Sequence, residues 1–408
     1  MMITLDENKF IKHLFFIYIL GMTLGSGVYL YTSLFRLDLL LILPTAVILT
    51  ILFYKKELIY EEMALFFSVL FYIIIVVIHL QISKDQTSML DIYYLISIYN
   101  IMLFSFLLLG FPKNYVKNLQ FIYTLFYYIL LFIGLSVVFE MLTGYRFTVD
   151  KDSVSEGLFI ASFFNNPNNL AVVSLMLFLV VFYLSNRFGT KLKNRLILLV
   201  EIFILTIAMS RVTLFIFLIV LSLMLFTNIY FIIFLLIFTI FIIPNLESIL
   251  LSLSHSDIPL IAENANRLWL GIYGLSDDKS ISYRNEIYEY FLYHLDDLNL
   301  MGYGTRNFVD FFHSTGLASA NPHSLIIENF LAFGIVGGTL FIVIFIVLFL
   351  KYISQSTKLL DPLIVSMFAF MVLSFVPSSS IRLSLMWVPL FIFYMSLGKN
   401  IGKNKGKL

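Results

Sequence analysis

Cysteine is absent from the 408-residue sequence, and charged residues make up only 12% of it. Without cysteine there are no disulfides, thiolate nucleophiles or cysteine-ligated metals. A net charge of +1 gives no electrostatic reason to expect a nucleic-acid partner. The sequence also lacks an H-E-x-x-H pair and a glycine-rich phosphate loop, so we expect neither a metal nor another cofactor.

Hydrophobic residues, by contrast, make up 60% of the chain and are arranged in long runs. A spanning helix needs about 20 apolar residues, so this stock fills roughly 12 crossings of a bilayer. The runs lie at about 10–31, 37–54, 63–82, 92–111, 119–142, 168–185, 196–210, 212–227, 229–244, 324–350, 359–376 and 383–397. The sequence therefore predicts an all-α polytopic membrane protein with about 12 transmembrane helices and one large extracytoplasmic loop containing short helices.

Lysine sets the expected orientation. With a cytoplasmic N-terminus, 14 of the 17 lysines fall on the inner side, as the positive-inside rule requires, and both termini are cytoplasmic. The expected parts are five N-terminal helices (1–142), an outer loop (143–167), helices 6–9 (168–244), the large outer loop (245–323) and three C-terminal helices with a tail (324–408). Within the large loop, Ser282 is expected to cap a helix over 283–298 with an apolar face at Ile287, Phe291, Leu292 and Leu295.

Arginine is distributed in the opposite way to lysine. Seven of the nine arginines fall outside, at positions 36, 146, 211, 267, 284, 306 and 382. A guanidinium grips phosphate or carboxylate through two parallel hydrogen bonds, so this placement favours an anionic ligand at the outer interface. The alternatives are pairing with loop acids, contact with lipid headgroups and, for Arg211 between two apolar runs, snorkelling to the surface.

Several short motifs occur in a fixed order. They are Ser162 to Ala171 (SFFNNPNNLA), Met209-Ser210-Arg211, Ser282-x-Arg284, Leu300 to Phe308 (LMGYGTRNF), and Asn321-Pro322-His323-Ser324-Leu325 followed by Glu328 and Gly334-Ile335-Val336-Gly337. This set resembles the O-antigen ligase and polymerase superfamily of bacterial envelope glycosyltransferases. The resemblance covers about 160–340. One departure is Ser324, where the family commonly has asparagine after the histidine.

The resemblance implies a GT-C-like fold and a metal-independent transfer of a sugar chain from undecaprenyl diphosphate to an acceptor hydroxyl. Arg211 and Arg284 would then hold the diphosphate and His323 would be the general base, with an ordinary histidine pKa of about 6.5 suited to that role. Candidates for supporting contacts are Arg306, Arg146, Arg382, Asn168, Tyr303 and Glu328. Gly334 and Gly338 would allow close approach of another helix or of lipid.

Three functions stay open at this point. The first is a polymerase in the bacterial cytoplasmic membrane that joins lipid-linked repeats into O-antigen, capsule or exopolysaccharide, with a flippase and a chain-length regulator as candidate partners. A ligase that transfers glycan to lipid A core or protein has the same donor chemistry. A polysaccharide-lipid flippase is the third, although the sequence has no internal repeat and its large loop lies on one side.

Overall fold

The computed structural model describes most of the chain with side chains. It describes residues 6–32, 37–55, 69–74, 77, 89–110, 112–147, 160–164, 166–208, 210–225, 243–274, 279–303, 311–312, 322–355, 362–377 and 383–404. Within these ranges every regular element is helical and no strand occurs.

Thirteen α-helices organise the described residues. They are α1 (Glu7–Thr32), α2 (Leu37–Tyr54), α3 (Met89–Leu109), α4 (Tyr115–Thr143), α5 (Pro167–Phe188), α6 (Lys191–Ala208), α7 (Arg211–Leu225), α8 (Leu246–Ser254), α9 (Pro259–Ile272), α10 (Lys279–Tyr293), α11 (Leu325–Gln355), α12 (Pro362–Leu373) and α13 (Val388–Asn404). Short 3-10 turns precede α4, α8 and α13, and another follows α10.

Four of the described segments are long and apolar enough to cross a membrane: Ile92–Leu109, Tyr115–Thr143, Pro167–Phe188 and Leu325–Leu350. Shorter apolar helices lie at Leu40–Tyr54, Arg211–Ser222 and Ser384–Ser396. These are the properties of a helical membrane protein. The number of twelve spans stays a prediction, because the run at 63–82 is described only at 69–74 and 77, and the run at 229–244 lies almost wholly outside the described residues.

Helix α5 is the centre of the bundle. Its side chains from Leu170 to Val181 are all buried, and it packs against α4, α6, α7, α12 and α13. The helix begins where Asn166 accepts a hydrogen bond from the Asn168 N–H at 2.8 Å, with Pro167 in the first turn. Both are standard start signals, so the Asn-Pro-Asn motif fixes where this helix begins.

The segment expected to form the large outer loop, 245–323, contains three described helices, α8, α9 and α10, of which α8 and α9 pack against each other. The expected helix over 283–298 is wrong in its bounds, because α10 spans Lys279–Tyr293. Ser282 therefore lies inside the helix, where its hydroxyl faces Glu286 Oε1 at 3.4 Å and caps nothing. Of the expected apolar face, Ile287 and Phe291 are buried, while Leu292 and Leu295 are exposed.

Helix α11 is broken at Gly334, whose φ of 68° and ψ of −168° are not helical. The loop at 299–303 fills the break: Tyr303 N–H donates to Leu331 O at 2.8 Å, and the N–H groups of Ile335 and Val336 donate to Asn299 O and Leu300 O at 3.3 and 3.2 Å. These bonds satisfy backbone groups that the break leaves without helical partners. We call this arrangement, residues 299–303 against 331–336, the loop–helix latch.

Two glycines face each other at the centre of the latch. A Cβ on Gly334 would overlap the backbone nitrogen of Gly302, and a Cβ on Gly302, which also has a positive φ, would overlap the backbone nitrogen of Gly334. The expectation that Gly334 and Gly338 admit another helix or lipid is wrong. Gly334 admits a loop, and the space beside Gly338 is occupied by the Phe330 ring of the same helix.

Substitution of Gly334 by alanine should destabilise the protein strongly, because both the positive φ and the backbone contact oppose a Cβ. The matched control is Gly144→Ala, since Gly144 has φ of 69° but a Cβ added to it would have no neighbour within 4 Å. We expect about 1–2 kcal/mol for the control and about 1–3 kcal/mol more for Gly334→Ala, measured by thermal unfolding in detergent. Equal losses in the two variants would show that the latch contact does not matter.

Candidate functional site

His323 is held in a defined backbone conformation just before α11. Its φ of 45° is in the left-handed region, which non-glycine residues rarely adopt. The preceding Pro322 is buried, and the backbone carbonyl of His323 accepts a hydrogen bond from the Tyr288 hydroxyl at 3.1 Å. Such positions persist only when the surroundings impose them, and they occur often at functional sites.

The ring of His323 lies against the backbone of the turn that follows α12. Its Nδ1 lies 3.4 Å from the carbonyl oxygen of Val376. A carbonyl oxygen can only accept, so a hydrogen bond in this contact places the hydrogen on the ring nitrogen. The backbone of Pro377 also acts on the ring, so this turn positions the His323 side chain.

Burial, and after it the positive charge of Arg284, lower the pKa of His323 from 6.5 to about 4. The backbone carbonyls of Val376 and Pro377 act the other way and favour the charged ring. The expectation of an ordinary histidine pKa is therefore wrong for this structure. At neutral pH the ring is uncharged, which is the form that can accept a proton.

Arg284 lies one helical turn before Tyr288 on α10, and both side chains are half-buried. The guanidinium acts electrostatically on the His323 ring and on the Tyr288 phenol, where burial raises the phenol pKa and Arg284 lowers it. Helix α10 thus brings an arginine and a tyrosine to His323, just before α11. The structure brings together two of the three residues expected to carry the chemistry.

Arg211 is the first residue of α7 and is half-buried. Just before it, the Ser210 hydroxyl lies 2.8 Å from the Thr213 hydroxyl, in the first turn. Helix α7 packs against α12, the helix whose C-terminal turn holds His323. A positive charge at a helix N-terminus opposes the helix dipole, so this arginine gains nothing from the dipole of its own helix.

Two of the candidates for supporting contacts, Tyr303 and Glu328, lie in the latch and in the first turn of α11. Tyr303 belongs to the latch, and its hydroxyl donates to the Asp297 carbonyl at 2.7 Å. Glu328 is buried one turn into α11 and acts electrostatically on Tyr72. Its neighbour Asn329, which the sequence motifs do not include, accepts a hydrogen bond from the Tyr72 hydroxyl and donates to Leu325 O at 2.7 Å.

Arg146 and Asn168 lie near the two ends of the smaller of the two expected loops, 143–167. Arg146 donates to the backbone carbonyl of Glu140 at 2.8 Å, and the N–H of Asn168 is part of the cap of α5. Arg306 and Arg382 lie outside the described residues, so their expected contacts stay predictions.

Glu140 joins the ends of the smaller loop to α4. The N–H of Phe147 donates to Oε1 at 2.7 Å and the N–H of Ser162 donates to Oε2 at 2.9 Å. Ser162 adopts a left-handed φ of 53°, and its hydroxyl bonds to that of Ser136. Because both carboxylate oxygens accept backbone hydrogen bonds, Glu140 has a structural role. In the sequence, the one sign of this role is the position of an acidic residue near the end of a long apolar run.

No group of three or more His, Asp or Glu side chains suited to a metal ion occurs among the described residues. The arrangement that remains is a neutral histidine, an arginine beside it, and a second arginine on α7, which packs against α12. Such a set can bind an anion and accept one proton.

Comparison of the chain with protein-family models and with curated proteins found no match.

The low pKa of His323 can be measured directly. With ¹³C in the ring carbons, the His323 resonance should titrate at about 4, well below the 6.5 of an ordinary histidine. Arg284→Gln should raise this value, because it removes a positive charge that disfavours the charged ring. Tyr288→Phe, which removes a hydroxyl but leaves that charge, is the control and should change it less. A titration that Arg284→Gln leaves unmoved would contradict the assigned cause.

Proposed function

We propose that the protein is an integral membrane glycosyltransferase that polymerises undecaprenyl-diphosphate-linked oligosaccharide repeats. It would act on the outer face of the bacterial cytoplasmic membrane. The observation that carries the proposal is the neutral, conformationally fixed His323 beside Arg284, at the start of an apolar helix long enough to span a bilayer. The proposal also draws on the ordered motifs that resemble the O-antigen ligase and polymerase superfamily, two of which contribute Arg284 and His323.

The chemistry needs few groups because a glycosyl diphosphate already carries a good leaving group. The acceptor hydroxyl oxygen would attack the anomeric carbon of the donor sugar as the bond from that carbon to the diphosphate breaks. The hydroxyl proton would pass to the imidazole ring of His323, and Arg284 and Arg211 would stabilise the charge on the departing undecaprenyl diphosphate. Transfer then requires one proton acceptor and donors for an anion.

The pKa of about 4 at His323 is too low for an efficient general base at neutral pH, since a base works best near the ambient pH. Substrate binding would change this. A diphosphate beside Arg284 places negative charge next to the ring and offsets the positive charge that lowers the pKa. The base would then become stronger only when the donor is bound, which limits proton uptake to the loaded enzyme.

His323→Ala should lower transfer by purified protein from a lipid-linked donor by about 10²–10⁴-fold, the usual contribution of a general base. The protein should remain inserted and folded. His255→Ala is the control, because His255 is exposed at the end of α8 and contacts the Leu251 carbonyl of its own helix. The wild type is expected to work in EDTA. Near-normal turnover of His323→Ala, or loss of wild-type activity on chelation, would disprove the mechanism.

Arg211→Lys and Arg284→Lys should each reduce transfer about 10- to 100-fold although the charge is preserved. A lysine ammonium cannot reproduce the two parallel hydrogen bonds of a guanidinium, each worth about 1.5–3 kcal/mol when a charge is involved. Arg187→Lys, at the opposite end of α5 from its Asn166 cap, is the matched control and should retain activity. Wild-type polymer length and amount in either of the first two variants would exclude diphosphate binding by that arginine.

A further inference from the structure

A carboxyl group outside the candidate site lies deep in the bundle. Glu201 is on α6 and is fully excluded from solvent. Helix α6 packs against α4 and α5; next to Glu201, Val200 fills the space beside Gly134 of α4, and Ser174 of α5 faces the carboxyl group. None of the proposed steps of sugar transfer uses this side chain.

The groups around Glu201 supply one donor hydrogen too few for an ionised carboxylate. The Ser174 hydroxyl lies 3.2 Å from Oε1 of Glu201 and 3.1 Å from the carbonyl oxygen of Ala171. A hydroxyl has a single hydrogen, so it can donate to one of these acceptors at a time. The other carboxyl oxygen, Oε2, is buried and has no hydrogen-bond partner among the residues that the structure describes. A carboxylate would therefore leave at least one charged oxygen without a full hydrogen bond.

A proton on Oε1 removes the conflict. The carboxyl O–H then donates to the Ser174 oxygen, and the Ser174 hydrogen donates to the Ala171 carbonyl. Only the neutral carbonyl oxygen Oε2 remains without a partner, which is far less costly than a bare charge in an apolar interior. One added hydrogen thus completes a chain of donors and acceptors from α6 to α5.

The charges described on the surrounding helices do not replace this proton. They lie towards the helix ends: Lys117 and Glu140 on α4, Arg187 on α5, Arg211 on α7, and Lys191, Lys193 and Arg195 in the first turns of α6 itself. Glu201 lies about two helical turns before the last residue of α6. Because a helix rises about 1.5 Å per residue, the carboxyl group is well separated from both ends of the helix. Among the described residues, the hydrogen-bonding partner of the carboxyl group is the Ser174 hydroxyl.

We propose that Glu201 and Ser174 form a proton-binding site within the bundle, in which Glu201 is a neutral carboxylic acid that donates to Ser174. The bound proton links α6 to α5 and stays in place while the protein functions. This proposal does not depend on the proposed transferase activity.

Infrared spectroscopy of the whole protein in lipid at neutral pH tests the proposal, because a carboxylic acid and a carboxylate absorb in separate regions. The difference between wild type and Glu201→Gln should show loss of one carboxylic-acid C=O band. In Ser174→Ala this band should shift to higher frequency, since the acid loses its acceptor. Glu140→Gln is the matched control and should instead lose a carboxylate band, because two backbone N–H groups donate to Glu140. A carboxylate band lost in Glu201→Gln would overturn the proposal.

Polymer synthesis gives a second readout. Glutamine has nearly the shape of neutral glutamic acid and can also donate to Ser174, so Glu201→Gln should keep wild-type polymer amount and thermal stability. If the folded variant makes no polymer while His323 variants behave as expected, then the proton must leave and return during turnover. That result would refute a permanently bound proton and leave the transferase assignment intact.

Discussion

Water is missing from the interior of an apolar helical bundle, so each polar group there depends on a partner supplied by the protein itself. Glu140 meets this condition by accepting two backbone N–H groups, those of Phe147 and Ser162. The break in α11 meets it by exchanging hydrogen bonds with residues 299–303. In both places the satisfied polar groups also attach a non-helical segment to a helix, so these contacts fix where the described parts of those segments lie.

The same condition gives His323 its chemical character. Removal of the ring from water disfavours its charged form, and Arg284 disfavours it further, so the low pKa leaves the ring neutral. The contact between its Nδ1 and the Val376 carbonyl holds the ring in this place. A histidine in water would have an ordinary pKa of about 6.5. The base that we propose is thus a product of burial and of one neighbouring charge.

The loop–helix latch explains how these groups are positioned together. It joins the segment after α10 to the first part of α11. The Tyr288 hydroxyl in turn joins α10 to His323, just before α11. The Asn329 contact to Tyr72 ties the same part of α11 to the N-terminal half of the chain. Helix α10 with Arg284 is therefore attached on both sides of His323, and movement of one element is resisted by the others.

Composition and periodicity by themselves determined that the protein is helical and apolar, and they placed most helices well. The runs expected at 37–54 and 119–142 correspond to α2 and α4, and the cap signals at Asn166-Pro167 mark the start of α5. Local hydrophobicity and backbone capping are properties of neighbouring residues, which a sequence displays directly. The order of the motifs likewise indicated His323 and Arg284 as candidate site residues, although it did not show that they lie close together.

Tertiary structure alone decided which partners those residues have. The pairing of Gly302 with Gly334, the low pKa of His323, the structural role of Glu140 and the single hydrogen shared near Glu201 all depend on contacts between segments far apart in the chain. The misplaced helix at 283–298 has the same origin, because Ser282 has the residue type of a cap but lies inside α10. Residue type gives the capacity to donate, accept or carry charge, whereas packing decides which group uses it and how far water is excluded.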